Sequence, residues 1–429
     1  MEPLPAWYLR RRAHYLPGNE VQLLKGGQEL FAALVAVINK ARYEVLLTTY
    51  IFHHDESARA VAQALLNAAQ RGVRVRVVVD GFGSIQSVAT LRQWWAQSPV
   101  SLVVYRPLDR WWTLLQSEHL HRLHQKVAVV DGEIGFVGGI NVIDDCIDLH
   151  DGPQSTPRLD YAIQVRGPVV APMAQAARAM WTRAAFGADW RDEVAQMVRG
   201  PKGLARAREL LRSMRLAPRS AGSPSLPWPQ PTEPSHPGTV EAAFLLRDNL
   251  RQRHSVQAAL LQACGQARHE IDIACPYFYP GRVLRRALLQ AAQRGVRVRL
   301  LLQGRPDYRI AALAARVLYR ELLGGGVHIF EYQAGALHAK VVRVDERWAT
   351  VGSSNLDPLS LLVNFEANLA IRDGGFVREV AQTLEAAFAQ SRAVLEPSVS
   401  VGWAGALRRR AVALLAHLYL RLAGVPSNY

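Results

Sequence analysis

Apolar residues along the chain follow two periodic patterns, and the same succession of patterns occurs twice. Residues 58–72 (ARAVAQALLNAAQRG) and residues 282–295 (RVLRRALLQAAQRG) carry apolar positions at helical spacing and end in glycine. Each is followed by a largely apolar run, VRVRVVVDG at 73–81 and VRVRLLLQG at 296–304. The patterns predict an amphipathic helix that is capped by its final glycine and followed by a buried strand.

A further apolar run precedes each helix, EVLLTTYIF at 44–52 and EIDIACPYF at 270–278. Each half of the chain therefore contains a β-α-β pattern, and the string AAQRGVRVR is identical at 68–76 and 291–299. Such self-similarity indicates an internal duplication. We predict an α/β fold of two similar lobes, each a mixed, largely parallel sheet flanked by helices.

The domain organisation follows from a change in composition between the halves. Residues 217–238 (APRSAGSPSLPWPQPTEPSHPG) are rich in Pro and Ser, which predicts an extended linker. We therefore predict an N-terminal lobe over residues 1–216, a C-terminal lobe over 239–400 and an amphipathic tail over 401–429. The length of 429 residues suits this division.

A second duplication carries the chemistry. His124-Gln-Lys126 is followed after four residues by Asp131, after six more by Gly138 and after two more by Asn141. The same spacing, HxK-x4-D-x6-G-x2-N, recurs from His338 through Lys340, Asp345 and Gly352 to Asn355. A single HxK would mean little, whereas two full matches are improbable by chance. The repeat therefore favours a functional reading over two satisfied structural histidines.

The residue types in this motif suit a phosphate ester. Side chains alternate along a strand, so His and Lys of HxK should lie on the same face, and the Asp should begin a turn into the next strand. An imidazole, an ammonium and an amide can together bind a phosphate oxyanion. Two such units facing each other would supply two imidazoles to one phosphorus, one as nucleophile and one as acid.

The composition favours anionic binding partners but does not identify which one. Lys and Arg outnumber Asp and Glu by 51 to 36, giving a formal charge of +15, which favours phospholipid head groups, nucleic acid or phosphate esters. The three cysteines form no CxxC pair, which fits a reducing compartment. His119 and His121 precede His124, but no acidic or cysteine ligands follow at useful spacing, so we expect no metal.

The paired motif resembles that of the phospholipase D superfamily. GGIN after the first motif, and LHAKVVRVDERWATVGSSNLDPLSLLVNFEANLAI around the second, are similar to bacterial cardiolipin synthases of the B type, which lack N-terminal transmembrane helices. The resemblance covers residues 21–388. It implies a bilobal fold with the active site at the lobe interface, and a ping-pong reaction that uses no metal and no cofactor.

The resemblance also implies residue roles. His124 would be the nucleophile, and His338 would protonate the leaving group and then act as base. The motif lysines, the motif asparagines and one serine would bind the phosphate oxygens: Lys126, Lys340, Asn141, Asn355 and Ser353. Asp160 and Glu366 would accept the Nδ1 protons of the imidazoles, although sequence order alone does not assign which acid serves which histidine. Asp131 and Asp345 complete the catalytic motifs, and we expect them to organise the turns.

The implied activity is that of a cardiolipin synthase, which joins two phosphatidylglycerol molecules and releases glycerol. Hydrolysis, or another phosphatidyl transfer such as one using phosphatidylethanolamine, would use the same motifs and stays open.

A nuclease of this superfamily would also fit the positive charge. No nucleic-acid-binding module is recognised in the sequence, however, and we do not expect nucleic acid as a partner. A non-catalytic scaffold would need a damaged motif, and neither motif is damaged. A single chain supplies both half-sites, so the chemistry does not require an oligomer.

The chain shows no signal-peptide pattern and no run of about 18 apolar residues. We therefore expect a peripheral enzyme on the cytoplasmic face of a bacterial membrane containing phosphatidylglycerol and cardiolipin. Two segments combine aromatic or leucine side chains with arginine, namely residues 106–123 (RPLDRWWTLLQSEHLHRL) and 402–422 (GWAGALRRRAVALLAHLYLRL). Either could contact lipid, and packing on the protein itself is the alternative for both.

Overall fold

The computed structural model describes Tyr8 and residues 12–107, 121–149, 152–186, 240–304 and 315–395. The predicted linker at 217–238, the tail at 401–429 and most of the 106–123 segment lie outside these ranges. The lobe boundaries therefore remain predictions. Within the described ranges, no helix is both long enough and apolar enough to span a bilayer.

The first half of the chain forms a sheet with helices on its faces. The predicted β-α-β unit is confirmed, since the helix runs over Glu56–Gln70 between strands Glu44–Thr49 and Arg74–Asp80. The elements are, in order, β1 Leu16–Lys25, α1 Gly26–Lys40, β2 Glu44–Thr49, α2 Glu56–Gln70, β3 Arg74–Asp80, α3 Val88–Trp94, β4 Ser101–Tyr105, β5 Val127–Val130, β6 Ile134–Gly138, β7 Ile147–Asp148, β8 Gly152–Pro153, β9 Tyr161–Arg166 and α4 Val170–Phe186.

The second half repeats most of this order, with a helix in place of β7 and β8 and with an added final strand. The predicted helix is again confirmed, here over Arg282–Gln293. The elements are β10 Val240–Arg247, α5 Ser255–Gln266, β11 Glu270–Ala274, α6 Arg282–Gln293, β12 Arg297–Gln303, α7 Tyr319–Gly324, β13 His328–Tyr332, β14 Val341–Val344, β15 Trp348–Gly352, α8 Pro358–Leu362, β16 Glu366–Arg372, α9 Gly374–Ala389 and β17 Ser391–Val394.

Local chemistry explains the ends of the duplicated helices. The Asp55 carboxylate accepts a hydrogen bond from the Ala58 amide at 2.8 Å, which caps the start of α2. Both helices end at a glycine in the left-handed region, with φ of 89° at Gly72 and 87° at Gly295. The C-terminal caps predicted from the sequence are therefore confirmed.

The α/β class and the mixed sheets are confirmed, but parallel pairing is limited. Only β2, β3 and β4 in the first half, and β11, β12 and β13 in the second, pair in parallel among the described strands. The strands that carry the motifs, β5–β6 and β14–β15, form antiparallel hairpins and pair antiparallel with their outer neighbours. The sheets are therefore mixed rather than largely parallel, because a tight turn at the motif aspartate reverses the chain.

The two sheets meet and pack on each other. They are joined in one hydrogen-bonded order through β1 and β10, at a register shift between Leu16 and Asn19. Strands β15 and β16 contact β6 and β9, and one core contains apolar side chains of both sheets, among them Val137, Ile163, Val351 and Leu369. This packing brings the two HxK segments, which precede β5 and β14, to the same interface.

Candidate active site

The two HxK segments are held in place by the opposite half of the chain. Each lies in extended backbone directly before its strand, so β5 and β14 begin one residue after the motif lysine. The His124 amide donates to the Phe365 carbonyl at 3.0 Å, and the His338 amide donates to the Leu159 carbonyl at 2.9 Å. Phe365 and Leu159 each directly precede a predicted orienting acid, so this bonding brings each histidine next to an acid of the other half.

The imidazole–acid pairs cross between the halves. His124 Nδ1 lies 3.0 Å from both carboxylate oxygens of Glu366, and His338 Nδ1 lies 2.6 Å from Asp160 Oδ2. A carboxylate partner at Nδ1 fixes that nitrogen as the N–H and turns Nε2 away from the acid. Both predicted acids therefore lie beside a motif histidine, in a pairing that sequence order could not assign.

The surroundings of the two acids differ at one motif position. Ser353 Oγ donates to Glu366 and accepts the Ala367 amide at 3.0 Å, and its side chain is buried. Gly139 occupies the matching position in the first motif, where an added Cβ would lie 2.3 Å from Asp160 Oδ1. Phosphate binding by Ser353 stays a prediction; in the structure its hydroxyl is engaged with Glu366 and positions that acid.

These surroundings give the two pairs different proton affinities. Burial raises the pKa of Glu366, but attraction to His124 and the hydrogen bonds from His124 and Ser353 outweigh it, so the net pKa is lowered. Burial raises the pKa of Asp160 to about 7, against the opposing effect of Lys340. Burial also lowers the pKa of both imidazoles. The first pair thus favours an ionised Glu366 beside a neutral His124, whereas the second retains a proton between acid and imidazole to a higher pH than an ordinary carboxyl group would.

The motif lysines are buried within electrostatic reach of both acids. Lys126 Nζ donates to the carbonyl of His124 at 2.6 Å, and Lys340 Nζ donates to the carbonyl of His338. Burial lowers the pKa of Lys126 to about 7 and lowers that of Lys340, while Glu366 and Asp160 oppose both shifts. Two ammonium groups that are costly to bury without a counter-charge form a site suited to an anion.

The motif asparagines lie in the same region as buried amides. Asn141 Oδ1 accepts the Ile51 amide at 3.2 Å, which leaves its NH2 group as the donor. Asn355 is also buried, and its Oδ1 has no hydrogen-bond partner among the described residues. Each amide follows the motif glycine by three residues, at the start of the loop that leaves β6 or β15.

Sequence reasoning missed three side chains around the histidines. The Tyr50 ring lies edge-on to the His124 imidazole, with centroids 5.1 Å apart, and Lys126 Nζ lies 5.4 Å from its centre. Asp80 accepts the Leu123 amide at 2.9 Å, and Gln303 accepts the Leu337 amide at 3.0 Å. Asp80 and Gln303 occupy the same position at the ends of the duplicated strands VVVDG and LLLQG, so the repeat shows that they are equivalent. The repeat does not show that each side chain accepts the amide of the residue before a motif histidine.

The motif aspartates are at the far ends of the strands from the histidines. Asp131 accepts the amides of Arg42, Tyr43 and Glu44 at 2.8–2.9 Å, and its φ of 54° forms the turn. Asp345 does the same for residues 268–270, with φ of 49°. Seven residues of extended chain put each carboxylate roughly 20 Å from its histidine. They organise the turns, as expected, and do not reach the reacting atoms.

His121, one of the two histidines considered for metal binding, contacts backbone and amide groups. His121 Nδ1 lies 3.0 Å from the Val363 carbonyl and 2.8 Å from Asn249 Nδ2, at the contact between the two halves. Its surroundings are backbone and amide groups, whereas His119 lies outside the described residues. These contacts of His121 help to join the two lobes.

Two imidazole–acid pairs, crossed between duplicated halves, are the site expected from the paired motif of the phospholipase D superfamily. The family described as "Cardiolipin synthase, PLD-like domain" matches residues 34–151 and 260–391. The chain belongs to this cardiolipin synthase family. Cardiolipin synthase B of Salmonella typhi is 37% identical over 372 residues, which cover 86% of this chain and 80% of that protein. Cardiolipin synthase B of Escherichia coli strain K12 is 34% identical over 368 residues, with the same coverage.

A solved structure shares the fold. The chain superimposes on the phosphatidylserine synthase of Haemophilus influenzae Rd KW20 with a TM-score of 0.66, covering 96% of this chain and 97% of that one. The sequences are only 13% identical, so this likeness concerns the fold alone. It confirms the predicted α/β architecture.

Proposed function

We propose that this chain joins two phosphatidylglycerol molecules into cardiolipin and glycerol through a phosphatidyl-histidine intermediate. The observation that carries the proposal is the crossed pairing of His124 with Glu366 and of His338 with Asp160. It orients two imidazoles from opposite halves of the chain at one interface. The family relationship supports the choice of lipid.

His124 serves as the nucleophile in this proposal. Its Nδ1–H is bonded to an ionised Glu366, so the lone pair is on Nε2. Nε2 attacks the phosphorus of the first phosphatidylglycerol and forms a P–N bond as the P–O bond to the glycerol head group breaks. A neutral imidazole is needed for this attack, and the lowered pKa of His124 keeps it neutral.

His338 serves as the acid and then as the base. The proton held between Asp160 and His338 allows the imidazole to donate from Nε2 to the departing glycerol oxygen. Free glycerol then leaves. A terminal hydroxyl of the second phosphatidylglycerol gives its proton to His338 as its oxygen attacks phosphorus, the P–N bond breaks and His124 is regenerated.

The lysines and asparagines bind the phosphate in this proposal. An anionic phosphodiester beside Lys126 and Lys340 raises the pKa of both amines and keeps them protonated, which offsets the cost of their burial. The NH2 groups of Asn141 and Asn355 supply uncharged donors to the same oxygens. These donors stabilise the additional charge that develops on the phosphoryl oxygens as the bond to His124 forms.

The partner we propose is an anionic phospholipid membrane on the cytoplasmic side of the cell. The excess of basic residues favours such a surface. Cys146, Cys264 and Cys275 are all free thiols, which fits a reducing compartment. Both histidines come from one chain, so the chemistry does not require a second copy.

The proposal is tested by incubating the purified chain with phosphatidylglycerol vesicles and separating the lipid products. Cardiolipin and glycerol in equal amounts are expected. Phosphatidic acid without cardiolipin would instead identify a hydrolase, and intact lipid with cleaved DNA a nuclease. Separate His124→Ala and His338→Ala variants, each folded by circular dichroism, should form no cardiolipin, because attack and leaving-group protonation are both required.

A further inference from the structure

Three large apolar side chains are exposed beside the active-site interface. Phe82 and Ile85 lie on the loop after β3 and are 45% and 54% exposed, and Leu250 lies on the loop after β10 and is 64% exposed. Large apolar side chains that are exposed close to an active site can mark an interaction surface. We name these three residues the apolar rim.

The loop that carries Phe82 and Ile85 is anchored to the catalytic residues. Asp80 accepts the amides of Phe82 and Gly83 at 2.8 and 3.1 Å with one oxygen, and the Leu123 amide with the other. An added Cβ at Gly83 would lie 2.4 Å from the Tyr50 carbonyl, and the Tyr50 ring contacts His124. The exposed side chains are therefore on a fixed base next to the proposed nucleophile.

Leu250 reaches the same place from the other half of the chain. Its neighbour Asn249 contacts His121, and the Arg122 guanidinium lies 5.4 Å from the centre of the Phe82 ring. Residues 121 and 122 thus separate the two loops, and His124 follows two residues later. The rim consequently has contributions from both halves, on either side of the chain that leads into the first motif.

Two further large apolar side chains that are exposed among the described residues lie away from the histidines. Tyr43 precedes β2 beside the Asp131 turn, and Leu395 follows β17 next to the first residues of β13, so both are at the strand ends away from the histidines. Val283 lies on the first turn of α6 in the second half. Tyr43 and Leu395 therefore serve as controls, because they are exposed apolar side chains that lie far from the active site.

We propose that the apolar rim enters the acyl-chain boundary of an anionic phospholipid bilayer and sets the active site against the lipid head groups. This rests on the proposed function, because a diacyl lipid can reach a buried histidine only if the entrance faces the membrane. Exposed basic side chains accompany the rim. Arg251 and Arg253 are neighbours of Leu250 in sequence, and Arg92 lies on α3, the helix that follows the Ile85 loop. Apolar insertion combined with flanking positive charge is the pattern of a peripheral membrane surface.

The test measures flotation with vesicles in the full chain carrying His124→Ala, so that no lipid is converted. With vesicles of phosphatidylglycerol and phosphatidylcholine, F82S/I85S should lower the partition constant about tenfold, and adding L250S should lower it further. The control Y43S/L395S, which removes as much exposed apolar surface far from the site, should change it less than twofold. Thermal unfolding midpoints show that each variant is folded.

Equal flotation of the rim variant and its parent, or an equal loss in the control, would overturn the proposal. Sedimentation of the same proteins measures their oligomeric state and tests whether the apolar rim binds a second copy of the chain instead. A dimer that the rim variant abolishes while flotation is unchanged would also overturn it. Because flotation needs no turnover, loss of membrane binding is separable from failure of the proposed reaction, which only the product assay reports.

Discussion

Glu366 lies 3.0 Å from Nδ1 of His124, although 242 residues separate them along the chain. Asp160 forms the reciprocal contact with His338 from 178 residues away. Each half thus supplies an imidazole to the reaction and an acid to the imidazole of the other half. The two motifs can therefore form a competent site only when both halves are docked.

The hydroxyl of Ser353 should affect catalysis through Glu366. Ser353→Ala removes one of the hydrogen bonds that lower the pKa of Glu366, so that pKa should rise. Because His124 needs an ionised partner, we expect the acidic limb of the kcat profile to move to higher pH, with kcat on that limb falling about tenfold, or about 1.4 kcal/mol, and kcat at neutral pH changing little. Ser353→Thr keeps the donor and serves as the control. A uniform loss of rate with an unmoved profile would indicate a packing defect.

The proton shared by Asp160 and His338 should limit the reaction at high pH. Asp160 has its pKa raised to about 7, so the pair holds its proton below that pH and loses it above. With phosphatidylglycerol as donor, we expect kcat to decline above about pH 7. A donor lipid with a nitrophenol head group needs no proton to leave, and its release should not decline. The same decline for both donors would assign this titration to another group.

Asp160→Asn separates the two halves of the cycle. The amide oxygen can still accept the Nδ1 proton of His338, but it cannot share a further proton, so the acid is lost. We expect glycerol release from phosphatidylglycerol to fall about 10²–10⁴-fold, and nitrophenol release to fall less than tenfold. Glu366→Gln is the counterpart and should slow both donors, because it affects the nucleophile. Equal sensitivity of the two variants to the leaving group would contradict the assigned roles.

The motif aspartates should contribute to stability and not to chemistry. Asp345→Ala leaves the amides of residues 268–270 without their shared acceptor and puts alanine at a φ of 49°. We expect a loss of about 1–3 kcal/mol in unfolding free energy, with kcat of the folded enzyme changed less than twofold. Denaturant unfolding and titrated active-site concentration together measure this. A kcat loss like that of His338→Ala would show that Asp345 acts in the reaction.

The sequence predicted those parts of the fold that depend on local patterns. The helix over residues 56–70 and the strands on either side follow from apolar periodicity and a C-terminal Gly. The motif spacing likewise selected His124 and His338. These features are short-range, so their signals lie within a few adjacent residues.

The remainder depends on packing between distant segments. Which acid binds which histidine is decided by the contact of β15 and β16 with β6 and β9, and no local pattern records it. The contact of Ser353 with Glu366 was not predicted, because a hydroxyl after a strand carries no local signal for a partner thirteen residues away in sequence. The sheets were predicted as largely parallel because the β-α-β pattern is conspicuous, whereas the hairpins at Asp131 and Asp345 are signalled only by a turn.

The most direct test of two imidazoles acting on one phosphorus is to trap the covalent intermediate. His338→Ala is mixed with the nitrophenol donor lipid, quenched within milliseconds at alkaline pH, where phosphoramidates survive, and digested for mass spectrometry. We predict a phosphatidyl group on Nε2 of His124 in this variant and none on His338 when His124→Ala is treated in the same way. A label on His338 in the His124→Ala variant, or nitrophenol release by His338→Ala with no label on His124, would contradict the account.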